Sequence, residues 1–166
     1  MQFLRHDRYD FSSIDSRPDY TWPNGKRLAV YFANNVEEFS FCSGLNEAGL
    51  TEPLPTQRLY SGRDYGNRVG IWRIFDLLQD MGVSASHNIN YEIFKYAPEI
   101  AQRISERCDE MVGHGRTNSE RQGNFSEQQE RELISESTKA IKSFTGNRPT
   151  GWLSPFLSET DRTPDL

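Results

Sequence analysis

The sequence predicts an α/β domain built on a parallel sheet, and three observations carry that prediction. Short apolar runs alternate with amphipathic segments of helical period, helix start and stop signals fall between the runs, and the connections suit right-handed crossovers. The order reads strand, helix, strand, helix, strand, helix, strand. At 166 residues, with 35% hydrophobic and 12% aromatic content, the chain can bury one core and is short for two.

Residues 1–25 are polar and aromatic by turns and carry Arg17-Pro18 and Trp22-Pro23-Asn24-Gly25, so they read as an N-terminal arm with little regular structure. Residues 26–166 form the single domain. Its first strand is expected at Leu28–Ala33, a continuous apolar run that suits burial on both faces. Residues 42–66, rich in Gly, Pro, Ser and Glu, are expected to form a long loop over a site. From Asn67, residues Ile71, Ile74, Phe75 and Leu78 recur at helical spacing until Gly82, and a second strand follows over Val83–Ile89.

Pro98 suits the first turn of a helix carrying Ile100 and Ile104, and a brief strand at Glu110–Val112 leads into His114. Ser126-Glu-Gln-Gln129 has the form of a capping box opening a helix with Leu133, Ile134, Ile141 and Phe144, closed by Gly146. The last strand is expected over Thr150–Leu153. Four strands are too few for a parallel barrel, which needs about eight, so the sheet is open or the chain is an incomplete barrel.

Composition narrows the function classes. A formal net charge of -5 gives no basic footprint, so no nucleic-acid partner is expected. Arg5, Asp7, Arg8, Asp10, Asp15, Arg17 and Asp19 interrupt the opening segment, and no stretch reaches membrane-spanning length, so a cytoplasmic protein with no membrane partner is expected. Cys42 and Cys108 lack metal or redox spacing and read as reduced thiols behaving as small buried apolar residues.

In parallel α/β folds the reactive groups gather beyond the carboxyl ends of the strands. That rule selects Asn34-Asn35-Val36-Glu37-Glu38, His114-Gly-Arg-Thr-Asn118 and Ser154-Pro155-Phe156. A carboxylate and an imidazole on one rim suffice to hydrolyse an acyl bond, one taking a proton from water and the other donating to the leaving group. Glu37 and His114 are the predicted pair. Taken singly, the glutamates read more readily as a solvated loop end and the histidine as a non-catalytic loop residue; position on a common rim raises both.

Three further residues are candidates for substrate contact. Arg63, beside Asp64, offers a guanidinium fork for an anionic or carbonyl oxygen, or is an ordinary surface ion pair. Trp152 is either a stacking floor for a ring or a core residue. Ser154 shares its rim. His6, in the arm, and His87, within a strand, read as structural.

These clusters resemble the polysaccharide deacetylase family, which carries the NodB homology domain, including its allantoinase-like branch. The stretches that resemble it are "RPDYTWPNGKRLAVYFANNVEEFSF", "RDYGNRVGIWRIFDLL", "CDEMVGHGRTNSERQG" and "TGNRPTGWLSPFLSE", covering most of residues 17–159. The resemblance implies a distorted parallel β/α barrel of the deacetylase type, here ending after about four strands. It also implies hydrolysis of a non-peptide carbon–nitrogen bond, in an N-acetyl amino sugar or in a cyclic amide or ureide.

Metal-dependent members bind a divalent ion, commonly zinc, through an aspartate after the first strand and a His-x-x-x-His pair after the third. Here those positions are Asn35, His114 and Asn118. Carboxamides are poorer zinc donors than imidazole or carboxylate, so no tightly bound metal is expected, although the resemblance leaves zinc open as a cofactor. The allantoinase-like branch implies instead that Glu37, with Glu38 beside it, serves as base while His114 polarises the carbonyl or protonates the departing nitrogen. The family's third motif often carries Arg-x-Pro, and "GWLSPF" keeps Pro155 without the arginine.

Three outcomes are therefore in view: an amidohydrolase acting on a sugar or small molecule, a non-catalytic remnant that binds such a ligand, and a homo-oligomer in which two chains complete one barrel through open strand edges.

Overall fold

The computed structural model describes residues 5–46 and 56–166. Contacts divide the chain into two units, Met1–Val30 and Tyr31–Leu166. The described part of the first unit holds two single 3-10 turns, Ile14–Ser16 and Pro23–Gly25, and no strand. Asn24 and Gly25 take left-handed φ values of 58° and 68°, the conformation that Asn-Gly accepts at least cost.

The second unit is organised by a parallel sheet of order β1-β2-β3, with β1 at Ala33–Val36, β2 at Ser86–Ile89 and β3 at Glu110–Gly113. The expected first strand at Leu28–Ala33 is displaced. Pairing begins where Phe32 O accepts from Ser86 N–H at 2.8 Å, and Leu28, Val30 and Tyr31 lie exposed before it. The sheet holds Asn34-Asn35 rather than the apolar run, and of β1, an edge strand, only Val36 enters the core. The expected fourth strand shrinks to one bridge. Gly113 N–H donates to Gly151 O and Leu153 N–H donates to Gly113 O, which sets Trp152 parallel to β3. No closed barrel forms among the described residues.

Helices cover the sheet as their local chemistry dictates. Part of the stretch read as a loop is helical: α1, Gln57–Tyr65, is capped by Thr56, and α2, Ile71–Asp80, continues it through a π turn at Gly66–Gly70. Residues 47–55 of that stretch lie outside the described residues. α1 buries no side chain, which is why no periodic signal marked it. α2 buries Ile71, Phe75 and Leu78 but leaves Ile74 partly exposed, and Gly82, at φ 62°, ends it with Val83 N–H bonded to Leu78 O.

After β2 comes a single turn, α3 (Ile93–Tyr96), then α4 (Pro98–Glu106), opened by Pro98 and burying Ile100, Ala101 and Ile104. The expected capping box is present at α5, Glu127–Thr145. Ser126 and Gln129 bond each other's backbone, and Gly146 closes the helix at φ 78°. α5 packs on β3 and α4.

Val36, Ile89, Met111, Phe75, Ile100, Ile104 and Ile141 join in one core, and each fully buried side chain of this size stabilises the fold by about 1.5–3 kcal/mol. Both cysteines are unbonded, as expected, but both are exposed rather than buried. Each takes a left-handed φ of 56°, a turn conformation at the surface. Among the described residues no helix is long and apolar enough to cross a membrane.

Candidate active site

Register decides where the reactive groups stand. Val36 pairs with Ile89 and Ile89 with Gly113, so the three strands end level, and the next residue of each is Glu37, Asn90 and His114. Strand alignment therefore brings a carboxylate, a carboxamide and an imidazole to one rim.

His114 is 2% exposed. Its Nδ1 faces Leu153 O, an acceptor only, which assigns the ring proton to Nδ1 and leaves Nε2 for chemistry. Nε2 is buried without a hydrogen-bond partner and stands 3.7 Å from Glu37 Oε1, too far for a hydrogen bond. The flanking glycines are required by contact: a Cβ on Gly113 would meet Trp152 Cε3 at 2.5 Å, and one on Gly115 would meet Pro155 Cγ at 2.9 Å.

Glu37 is held from several sides. Asn35 Nδ2 donates to its Oε1 at 3.3 Å, and Arg63 Nη1 lies 3.6 Å from Oε2. Asn67, presented by the π turn, donates from Nδ2 to Glu37 O at 2.9 Å. Burial pushes the Glu37 carboxyl up, but His114, then Arg63 and Asn35, outweigh it and hold it below the usual carboxylate range. Arg63 also covers the Phe39 ring at 4.8 Å, and its neighbour Asp64 pairs with Arg68 instead.

A cavity of about 260 Å³ opens here, lined by Asn35, Glu37, Phe39, Arg63, His114, Asn118, Leu153, Ser154, Phe156 and Leu157. Of the predicted site residues, Glu37, His114, Arg63 and Ser154 share this cavity with Asn35 and Asn118. Glu38 and Trp152 do not line it. Glu38 accepts from Tyr60 Oη at 3.1 Å, and burial, with the charges of Asp64 and Glu92, raises its carboxyl above the usual range. Trp152 packs on Gly113, and its Nε1–H donates to Gln122 Oε1 and Ser154 Oγ, so it holds the wall without facing the cavity.

At the metal positions both carboxamide oxygens are already engaged. Asn35 Oδ1 already accepts from Asn88 Nδ2 at 2.8 Å, and Asn118 Oδ1 accepts from Asn90 Nδ2 at 3.0 Å. Among the described residues no group of three His, Cys, Asp or Glu side chains is placed to hold an ion. One imidazole nitrogen and two engaged carboxamides do not fit the donor set of a zinc centre.

Of the two histidines read as structural, His87 does not line this cavity. His87, fully buried in β2, has Nε2 3.1 Å from Asp109 Oδ2, and Arg107 bonds the same oxygen at 2.8 Å. His6 accepts from Arg8 N–H and packs on Tyr9. Sequence reasoning missed Asn90 and Asn67, whose roles are set by partners distant in the chain.

The chain is an α/β unit that carries a carboxylate and an imidazole beyond its parallel strands. The polysaccharide deacetylase family model matches residues 52–166, and the chain belongs to that family. A polysaccharide deacetylase-type protein of Schizosaccharomyces pombe is 27% identical over 165 residues, covering 90% of this chain and 50% of that protein. Among solved structures, the Puue allantoinase is 26% identical with a TM-score of 0.73, covering 90% of this chain and 53% of its own. A Mycobacterium smegmatis protein of the deacetylase type is 26% identical with a TM-score of 0.71, covering 87% and 49%. The chain thus spans about half the length of these relatives.

Proposed function

We propose that this protein hydrolyses a carbon–nitrogen bond of a small cyclic amide or ureide, with Glu37 and His114 as the proton-transfer pair. The observation that carries the reading is the 3.7 Å approach of His114 Nε2 to Glu37 Oε1 at the wall of a small cavity. That cavity lies just below the ~300–1,000 Å³ of ordinary ligand sites, which favours a single small ring over a sugar polymer. Asn35, Asn118 and Ser154 supply it with polar groups suited to amide edges.

In the proposed reaction Glu37 takes a proton from a bound water while the water oxygen bonds to the substrate carbonyl carbon. His114 Nε2, unprotonated at rest, receives that proton from Glu37 and gives it to the departing nitrogen as the carbon–nitrogen bond breaks, which returns both groups to their starting states. Arg63 and Asn35 keep Glu37 ionised and aimed, at some cost in base strength. Leu153 O fixes the imidazole ring so that Nε2 faces the substrate.

The test is a hydrolysis assay against cyclic ureides and N-acetyl amino sugars, with Glu37→Gln and His114→Gln alongside the parent. The reading expects turnover of the ureide, with each variant slower by about 10²–10⁴-fold. Turnover of the N-acetyl sugar alone would move the substrate class, and undiminished activity in both variants would end the assignment.

A further inference from the structure

Asn90 is 0% exposed and stands one residue beyond the central strand, between the two loops that carry the pair. Its Oδ1 accepts from Glu38 N–H at 2.8 Å, across the seam to β1. Its Nδ2 donates to His114 O, across the seam to β3, and to Asn118 Oδ1 at 3.0 Å. Its own N–H donates to Val36 O at 3.1 Å, and Asn118 N–H closes the ring by donating to Glu38 O at 2.8 Å. One buried carboxamide therefore ties the backbone next to Glu37 to the backbone of His114, with its acceptor and both donor hydrogens used.

We propose that Asn90 is a positioning residue that sets the separation of Glu37 and His114, an inference that rests on the acid–base reading of that pair. Aspartate and leucine have the wrong inventories for the post. The first cannot donate to His114 O and Asn118 Oδ1, and the second leaves Glu38 N–H buried without an acceptor. The wider consequence is that the rim is a rigid triangle whose third corner does no chemistry. A shift of about 1 Å between catalytic groups costs about 10²-fold in rate, so the clasp matters to turnover as well as to folding.

The test uses the full chain with Asn90→Asp and Asn90→Ser, the second guarding against failure of the first to fold with a buried charge. Two readouts are taken: kcat and KM on the substrate the parent hydrolyses, and the Glu37–His114 separation in crystals of each variant. The expected result is a kcat loss of about 10²-fold with KM held within about two-fold, and a His114 Nε2 to Glu37 Oε1 distance longer than 3.7 Å. Ile104→Ala, buried in the core on α4, serves as the destabilised control with kcat held within about two-fold. Variants that melt earlier yet keep the parent's kcat and separation would make Asn90 a structural residue only and overturn the proposal. If the parent turns over none of the substrates, that outcome counts against the hydrolase reading, and the separation alone decides the role of Asn90.

Discussion

Replacing Gly113 by alanine tests how the rim is built. A methyl there would sit 2.5 Å from Trp152 Cε3 and 2.8 Å from Cζ3, against the 3.4–4 Å of ordinary contact. The indole must retreat by almost an ångström, and it is not free to do so. Its Nε1–H is bonded to Gln122 and Ser154, and the residues on either side of it bond the Gly113 backbone. Overpacking of this kind costs about 1–3 kcal/mol. For a chain of this size that is a fall in melting temperature of roughly 2–4 °C per kcal/mol, so about 2–12 °C in all. The strain also reaches the site, because Leu153 O, the carbonyl that orients His114, moves with Trp152. Circular dichroism melts read the first effect, and kcat reads the second. A variant that melts within a degree of the parent and turns over at the parent's rate would refute the packing argument.

Other consequences follow from single contacts. Glu130, 0% exposed on α5, accepts from Gln122, Thr160 and Thr163. Glu130→Ala leaves those donors without their acceptor and should cost about 1–3 kcal/mol for each one that stays buried, read by urea denaturation; a midpoint like the parent's would show that the segment from Thr160 is not held there. His87 is pushed below its ordinary value of 6.5 by burial, against the pull of Asp109. Its unfolded form therefore binds more protons below pH 6.5, and the stability it contributes, complete above that pH, is lost as pH falls through its folded value. His87→Phe should flatten that limb in denaturation series from pH 7 to pH 5, and an unchanged slope would assign it elsewhere. Arg63→Met removes the cation beside Glu37 and should raise the pH at which the acid side of the rate profile falls; an unmoved limb would show that Arg63 does not tune the base.

What was legible in the sequence is what local chemistry decides. The Ser126–Gln129 box, Pro98 and the stops at Gly82 and Gly146 mark helix ends through bonds made within a few residues, and each is where the sequence puts it. β1 was misplaced because strand burial depends on neighbours: Leu28–Phe32 looks like a core strand yet lies before the paired residues, while Asn34-Asn35 looks like a loop and is paired. α1 escaped notice because it buries nothing, and the π turn has no period to detect. That Glu37 and His114 share one rim was readable from the rule that loops converge beyond the carboxyl ends of parallel strands. Trp152 and Glu38 share that rim in sequence, but packing on Gly113 and the bond from Tyr60 take them out of the cavity. Asn90 and Asn67 could be found only by following hydrogen bonds between loops 52 and 30 residues apart.

In the proposed reaction Glu37 and His114 act together on one bound molecule, and a double-mutant cycle in kcat measures that directly. With Glu37→Gln, His114→Gln and the double variant assayed on the same substrate, groups that work as a unit make the double variant about as slow as the slower single one. Losses that multiply in full would show two independent residues and contradict the account.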